Sequence, residues 1–265
     1  STFGNHEHDR DMAHIVKMIN LSTNKWVVSN YSTLAPLNTG ANKVTDYVIL
    51  ERGGVKIGVV GANTAETPDV VYPGNMAGMT ISPDPKYLNS AIKDAKAAGA
   101  EIVVALVHQG WAENKGGVAT GELASTYPQL KGATVVFGGH SHLQFSTISA
   151  NNRWASAITV GQVPNSGVGY NQVSVCLNSG KVVGSMLKYV TAAEISKVTP
   201  DATAVAVVKK YKDQVSAKLD VKIGKVSGIF PRGGTPAVER SSETEMGDYM
   251  ADLVRVATKT QLTII

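Results

Sequence analysis

Ile102-Val103-Val104-Ala105-Leu106-Val107-His108 decides the fold: an unbroken aliphatic run closes on a histidine, with Gln109 and Gly110 behind it. A run of that length bounded by turn residues predicts a strand buried on both faces. Thr134-Val135-Val136-Phe137 repeats the device and ends at Gly138-Gly139-His140. Pro83 to Ala98, before the first strand, carries Leu88, Ile92 and Ala95 at helical spacing. Asp84 can serve its start and Gly99 its stop, so the stretch predicts a helix. Val55 to Gly61 joins Asp46 to Glu51 through Gly53-Gly54, which predicts a hairpin. Strands alternating with helix define an α/β class. Both imidazoles then stand at a strand's carboxyl end, the edge at which open α/β sheets bind ligands.

After Phe145 the pattern changes. Turn residues at Asn151-Asn152, Asn165-Ser166-Gly167 and Asn178-Ser179-Gly180 divide the stretch to Tyr189 into short segments, which predicts antiparallel hairpins. Cys176, in the strand-like run Gln172 to Leu177, is read as an inert core thiol. Thr199-Pro200-Asp201 opens a helix to about Leu219, with Val205, Val208, Tyr211, Val215 and Leu219 on one face. A strand over Val221 to Val226, a loop at Gly233-Gly234, a helix over Glu243 to Ala257 and a strand over Leu262 to Ile265 follow. The predicted organisation is a domain over 1–198, a bridging helix over 199–220, and the start of a second α/β domain over 221–265. No internal repeat or low-complexity segment interrupts it.

Composition excludes several classes. Of 265 residues, 43% are apolar, enough for a real core. No stretch approaches the roughly 18 consecutive apolar residues of a membrane span. Net charge is +4, with 25 basic residues against 21 acidic, but the basic residues are scattered and form no stripe interleaved with aromatics. A nucleic-acid polymer is therefore not the expected partner. One cysteine excludes an internal disulfide framework and a cysteine-based zinc cluster. Charged residues make up 17%, below the roughly 25% usual for soluble domains, and Ser, Thr, Asn and Gly fill the polar surface, as in exported proteins. Asn20-Leu21-Ser22 and Asn30-Tyr31-Ser32 are sequons, meaningful only in a secreted eukaryotic protein.

The residues able to do chemistry fall into Gly4-Asn5-His6-Glu7-His8-Asp9, His108, and Gly138-Gly139-His140-Ser141-His142. Imidazole with amide oxygen suits borderline metals such as Zn, Mn, Fe or Co better than Ca or Mg. Two such ions about 3.5 to 4 Å apart can share a hydroxide that attacks phosphorus while both neutralise charge on the phosphoryl oxygens. In an extended loop, His140 and His142 at i and i+2 would point the same way and reach adjacent ions. His108 would arrive from the neighbouring strand end, and Asn5 would give its amide oxygen. His6 would face substrate and protonate the departing oxygen, with Asp9 holding the ring's other nitrogen. His8 and His14 are read as a loop residue and a solvated helix position. Trp111, Trp154 and Tyr170 are read as packing.

Gly4-Asn5-His6-Glu7, Val107-His108 and Gly139-His140-Ser141-His142 resemble the third, fourth and fifth signatures of the calcineurin-like metallophosphoesterases. Asp9, the order of hairpin and helix, and the run Arg240-Ser241-Ser242-Glu243-Thr244-Glu245-Met246-Gly247-Asp248 resemble the 5'-nucleotidase and UDP-sugar hydrolase branch. The resemblance implies a four-layer sandwich, here lacking its first strands, then a bridging helix and the opening of a nucleotide-binding domain. It implies two divalent metals held by Asn5, His108, His140 and His142, a catalytic pair His6 and Asp9, and Arg240 on substrate phosphate. It further implies a small-molecule nucleotide substrate and a secreted or periplasmic setting.

The departures from the family pattern are specific. The family's Asp-x-His and Gly-Asp signatures would precede Ser1, and with them the carboxylate that bridges both metals. His8 stands where phenylalanine is common, and the aromatic pair that sandwiches the base lies past Ile265. The expectation is therefore a piece of a longer hydrolase that, by itself, binds metal sub-stoichiometrically and turns over little. Two rivals share the residues: a 2',3'-cyclic nucleotide phosphodiesterase or thiosulfohydrolase, and a binding protein whose site is defective.

Overall fold

The structure, a computed structural model, describes residues 1–115, 118–146, 158–222, 224–225, 227–229 and 242–263. The chain divides into two compact units, Ser1–Thr199 and Pro200–Ile265.

In the first unit the central sheet has six strands: β1 Tyr47–Arg52, β2 Val55–Asn63, β3 Ile102–His108, β4 Val135–Phe137, β5 Phe145–Ser146 and β6 Thr159–Gln162. Their spatial order is β1-β2-β3-β4-β6-β5. The four inner strands run parallel, in the order β2-β3-β4-β6, and an antiparallel strand closes each edge. Gly53 and Gly54, both at positive φ, make the β1–β2 turn that the sequence predicts. Helix α1 spans Met12–Leu21 and helix α2 spans Lys86–Ala97. Leu88, Ala91, Ile92 and Ala95 of α2 share one core with Val60, Val103, Ala105, Val136 and Val160 of the sheet. Each fully buried Leu, Ile or Val contributes about 1.5–3 kcal/mol, so this face dominates the unit's stability.

A second core gathers Phe3, Ile15, Ile19, Val28, Tyr31, Leu37, Val44, Met76, Met79 and Ile81. It anchors the start of the chain. Val27 N donates to Ser1 O at 2.9 Å, Thr2 Oγ1 donates to Val27 O at 2.9 Å, and Phe3 is 1% exposed with its ring 4.9 Å from that of Trp26. Gly4 and the residues after it therefore start from a fixed point.

Several sequence expectations are corrected. Thr159–Gln162 is parallel to β4 and pairs with the central sheet. All four of its residues are buried, as a strand covered on both faces requires, and it also pairs antiparallel with Phe145–Ser146, the hairpin pairing that the sequence predicts. The long hairpin does form, from β7 Gly169–Asn178 and β8 Lys181–Thr191. Its period-two alternation turns Cys176 outward, so the free thiol is exposed and not in the core. The sequon at Asn30 is closed, because Asn30 is 3% exposed and its Nδ2 donates to Asn63 O and Ser82 O.

In the second unit, helix α3 spans Ala202–Leu219 and helix α4 spans Glu245–Thr258. Asp201 caps the first by accepting from Ala204 N, and Thr244 caps the second by accepting from Gly247 N. The predicted apolar face of α3, Val205, Val208, Tyr211, Val215 and Leu219, is exposed within its unit. Val221, Lys222, Gly224 and Lys225 lie in no strand, nor do Leu262 and Thr263, so neither predicted strand forms over the described residues. Gly233-Gly234, Arg240, Trp154 and Asn151-Asn152 lie outside them.

Candidate functional site

Because β2, β3 and β4 are parallel, their carboxyl ends meet at one edge, with Asn63 paired directly to His108. Gly138 and Gly139 then carry the chain from β4 to His140. The fourth contributor is the 3-10 turn Asn5–His8, entered through Gly4. Gly4 lies against the His108 ring: a Cβ there would stand 2.8 Å from Nδ1 and 2.9 Å from Cγ. Its φ of −117° suits any residue, so the requirement for glycine is contact and not conformation. Gly4 N donates to Glu7 Oε2 at 2.6 Å, which fixes the turn.

Across 103 residues of sequence, Asn5 Oδ1 stands 3.0 Å from His108 Nε2. The His108 and His140 rings meet edge to face, 5.1 Å between centroids. The structure thus brings Asn5, His108 and His140 together. His142 is exposed and acts on His108 through charge. His140 and His142 both occupy the left-handed region, at φ 73° and 60°, so their loop is not extended. Gly139 N donates to Gln109 O and Ser141 N to Gly139 O, and these bonds turn the chain too sharply for the extended geometry expected from sequence. Non-glycine residues rarely adopt such φ values, and strained positions cluster at functional sites.

Burial, followed by the charges of His140, His6 and His142, pushes the His108 imidazole down to about 4. His108 is therefore neutral at neutral pH and takes a cation without first losing a proton. His108 Nε2 and Asn5 Oδ1 are hydrogen-bonded at 3.0 Å, and two donors about 2.1 Å from one ion stand about 3.0 Å apart at right angles and about 3.4 Å apart at the tetrahedral angle, so a small separation would admit a cation between them. Among the described residues, no group of three or more His, Cys, Asp or Glu side chains is placed to hold a metal ion.

His6 Nδ1 is 2.8 Å from Asp9 Oδ2, with both side chains largely exposed. Asp9 accepts from the ring and leaves Nε2 directed outward, the pairing the sequence predicts. His14 is exposed on α1, as predicted. Trp111 is buried against Tyr127 and Phe145, whereas Tyr170 is half exposed.

His8 departs from its loop reading, because it is wholly buried. Asn63 Oδ1 accepts from Thr64 N at 2.8 Å, which orients its amide so that Nδ2 donates to the Tyr31 hydroxyl at 2.9 Å. The hydroxyl's own proton then goes to His8 Nε2, 2.7 Å away. Burial pushes the His8 imidazole down and the Tyr31 phenol up. This chain ties the Asn5–His8 turn to the end of β2.

Sequence reasoning missed Glu66. Its Oε2 lies 3.2 Å from His140 Nε2. The residue is the one carboxylate in the stretch Thr64 to Thr67 that follows β2's end, and that position was its only signal.

The Calcineurin-like phosphoesterase family profile matches residues 1–144. The chain belongs to that family. Endonuclease YhcR of Bacillus subtilis is 23% identical over 274 residues, covering all of this chain and 22% of the relative. A snake venom 5'-nucleotidase of Crotalus adamanteus is 23% identical over 271 residues, 95% of this chain and 43% of the relative. The crystal structure of a 5'-nucleotidase precursor from Thermus thermophilus superposes with a TM-score of 0.76 at 20% identity, covering 97% of this chain and 51% of its own. That likeness establishes the mixed α/β fold, and the chain spans less than half the length of the two relatives compared by sequence.

Proposed function

We propose that the protein hydrolyses phosphate monoesters of nucleotides, with two divalent cations of the Zn, Mn, Fe or Co type. The observation that carries the reading is the 3.0 Å approach of Asn5 Oδ1 to His108 Nε2 with His140 edge-on beside them. Asn5, His108, His140 and His142 would hold the cations, together with carboxylates beyond this set. When bound, the cations supply Lewis acidity at the phosphoryl oxygens and a nucleophilic water at neutral pH.

The chain's own residues do the rest. Asp9 fixes the His6 ring through Nδ1, so that Nε2 can deliver a proton to the departing oxygen. Neutral His108 would offer its Nε2 lone pair to the cation once the proton that it now donates to Asn5 Oδ1 shifts to the other ring nitrogen. Arg240, outside the described residues, contacts substrate phosphate in this reading. The venom relative supports a nucleotide substrate and a secreted setting. Among the described residues no helix is long and apolar enough to cross a membrane.

Metal analysis of the full-length protein and phosphate release from AMP test the proposal. Bound transition metal with metal-dependent release supports it; neither one present refutes it. Parallel assays with a 2',3'-cyclic nucleotide and with a thiosulfate ester separate the rival chemistries on this scaffold.

A further inference from the structure

We propose that Glu122, acting with Gln109, is a positioning residue that ties the loops bearing the metal ligands into one rigid unit. The inference rests on the metal-centre reading above. Glu122 opens the short helix Glu122–Thr126, outside the cluster of histidines. Its Oε1 accepts from Ala65 N at 3.1 Å and from Gln109 Nε2 at 3.1 Å. Ala65 directly precedes Glu66, whose carboxylate meets His140, and Gln109 directly follows His108. Gln109 in turn accepts from Gly139 N through its backbone carbonyl at 3.1 Å, next to His140. Leu123 N closes the arrangement on Gly110 O at 3.1 Å. A single carboxylate oxygen thereby joins the loops that follow β2 and β3, and Gln109 extends the tie to the loop after β4.

The tie is not explained by burial. Gln109 is 2% exposed, yet its Oε1 and the Oε2 of Glu122 are both buried without a hydrogen-bond partner. Apolar residues of the same size would fill the space without leaving two bare acceptors. What they would lose is the fixed spacing between loops, and ligand spacing is what a metal site demands.

The test uses the full-length protein with Mn²⁺ alone as probe. Calorimetric titration of Glu122→Ala should show Mn²⁺ binding weakened by up to about 10-fold, the lower end of the effect of losing a group bonded to a ligand itself, because Glu122 acts on the ligands one residue removed. Glu122→Gln keeps an oxygen for both donors and should recover most of that loss; Gln109→Met, which removes the amide at constant bulk, should resemble Glu122→Ala. At saturating Mn²⁺, kcat should return toward wild type with KM unchanged. Hydrogen exchange of the Ala65 amide should accelerate in Glu122→Ala while thermal unfolding stays cooperative. Wild-type Mn²⁺ affinity in Glu122→Ala overturns the inference, as does a loss in Glu122→Gln equal to that in Glu122→Ala, or unchanged Ala65 protection. If Glu122→Ala fails to fold, the other two variants carry the comparison. Wild-type protein that binds none of Mn²⁺, Zn²⁺, Fe²⁺ and Co²⁺ refutes the functional reading itself, and Ala65 exchange then still decides whether the tie exists.

Discussion

Replacing Gly4 by alanine puts one methyl group against the His108 ring without straining the backbone. The new Cβ would stand 2.8 Å from Nδ1, so the ring or the turn must yield by about 0.6 Å to reach the 3.4 Å of ordinary contact. The ring is packed between Gly4, Asn5 and His140, and so the displacement falls on the 3.0 Å approach to Asn5. Overpacking of this kind costs about 1–3 kcal/mol. For a unit of this size that lowers the unfolding midpoint by about 2 to 12 °C. Misplacement approaching 1 Å at a catalytic centre costs about 100-fold, so metal-dependent phosphate release should fall by roughly 10-fold or more. Thermal unfolding with and without Mn²⁺, together with initial rates, reads both effects. Gly4→Ala protein with wild-type stability and wild-type rates would refute the reasoning, because the contact would then be absent in solution.

Three further outcomes are expected. Tyr31→Phe removes the hydroxyl between His8 and Asn63 and leaves two buried groups without partners, at about 1–3 kcal/mol each; urea unfolding should show the loss. Asp9→Asn should lower kcat with little change in Mn²⁺ affinity, because Asp9 orients His6 and touches no proposed ligand; calorimetry beside steady-state kinetics separates the two. In metal-free protein, His8 and His108 both titrate below their ordinary value of 6.5, so below there, and for His108 down to about 4, the unfolded chain binds protons that the folded chain does not. Stability from these groups is therefore complete above pH 6.5 and declines as pH falls through that window, which urea midpoints at pH 7.5 and pH 5 would reveal.

Much of the candidate site was legible because its proposed ligands sit where local pattern changes abruptly. The aliphatic run before His108 and the Gly-Gly before His140 mark strand ends, and strand ends in a parallel sheet meet at one edge. The β1–β2 hairpin and α2 were readable for the same reason, since turn glycines and helical spacing are local signals. Partners chosen by tertiary packing were not readable. Thr159–Gln162 is too short to declare its direction, and Cys176 follows an alternation whose phase is set by β8 across the hairpin. His8 finds its buried partner in Tyr31, 23 residues away, whose hydroxyl donates to Nε2. Glu66 and Glu122 carry no motif, and Glu122 meets Ala65 across 57 residues. The left-handed backbone at His140 likewise goes with the turn closed by Ser141 N on Gly139 O, not with the loop's own composition.

The central claim is that Asn5, His108 and His140 surround a cation. Anomalous diffraction at the manganese edge, from crystals of the full-length protein grown with Mn²⁺, locates the ion directly. The account predicts a peak about 2.2 Å from both Asn5 Oδ1 and His108 Nε2, with His140 on the same or a neighbouring ion. Peaks confined to other surfaces, with Asn5 and His108 still bonded to each other, would contradict it.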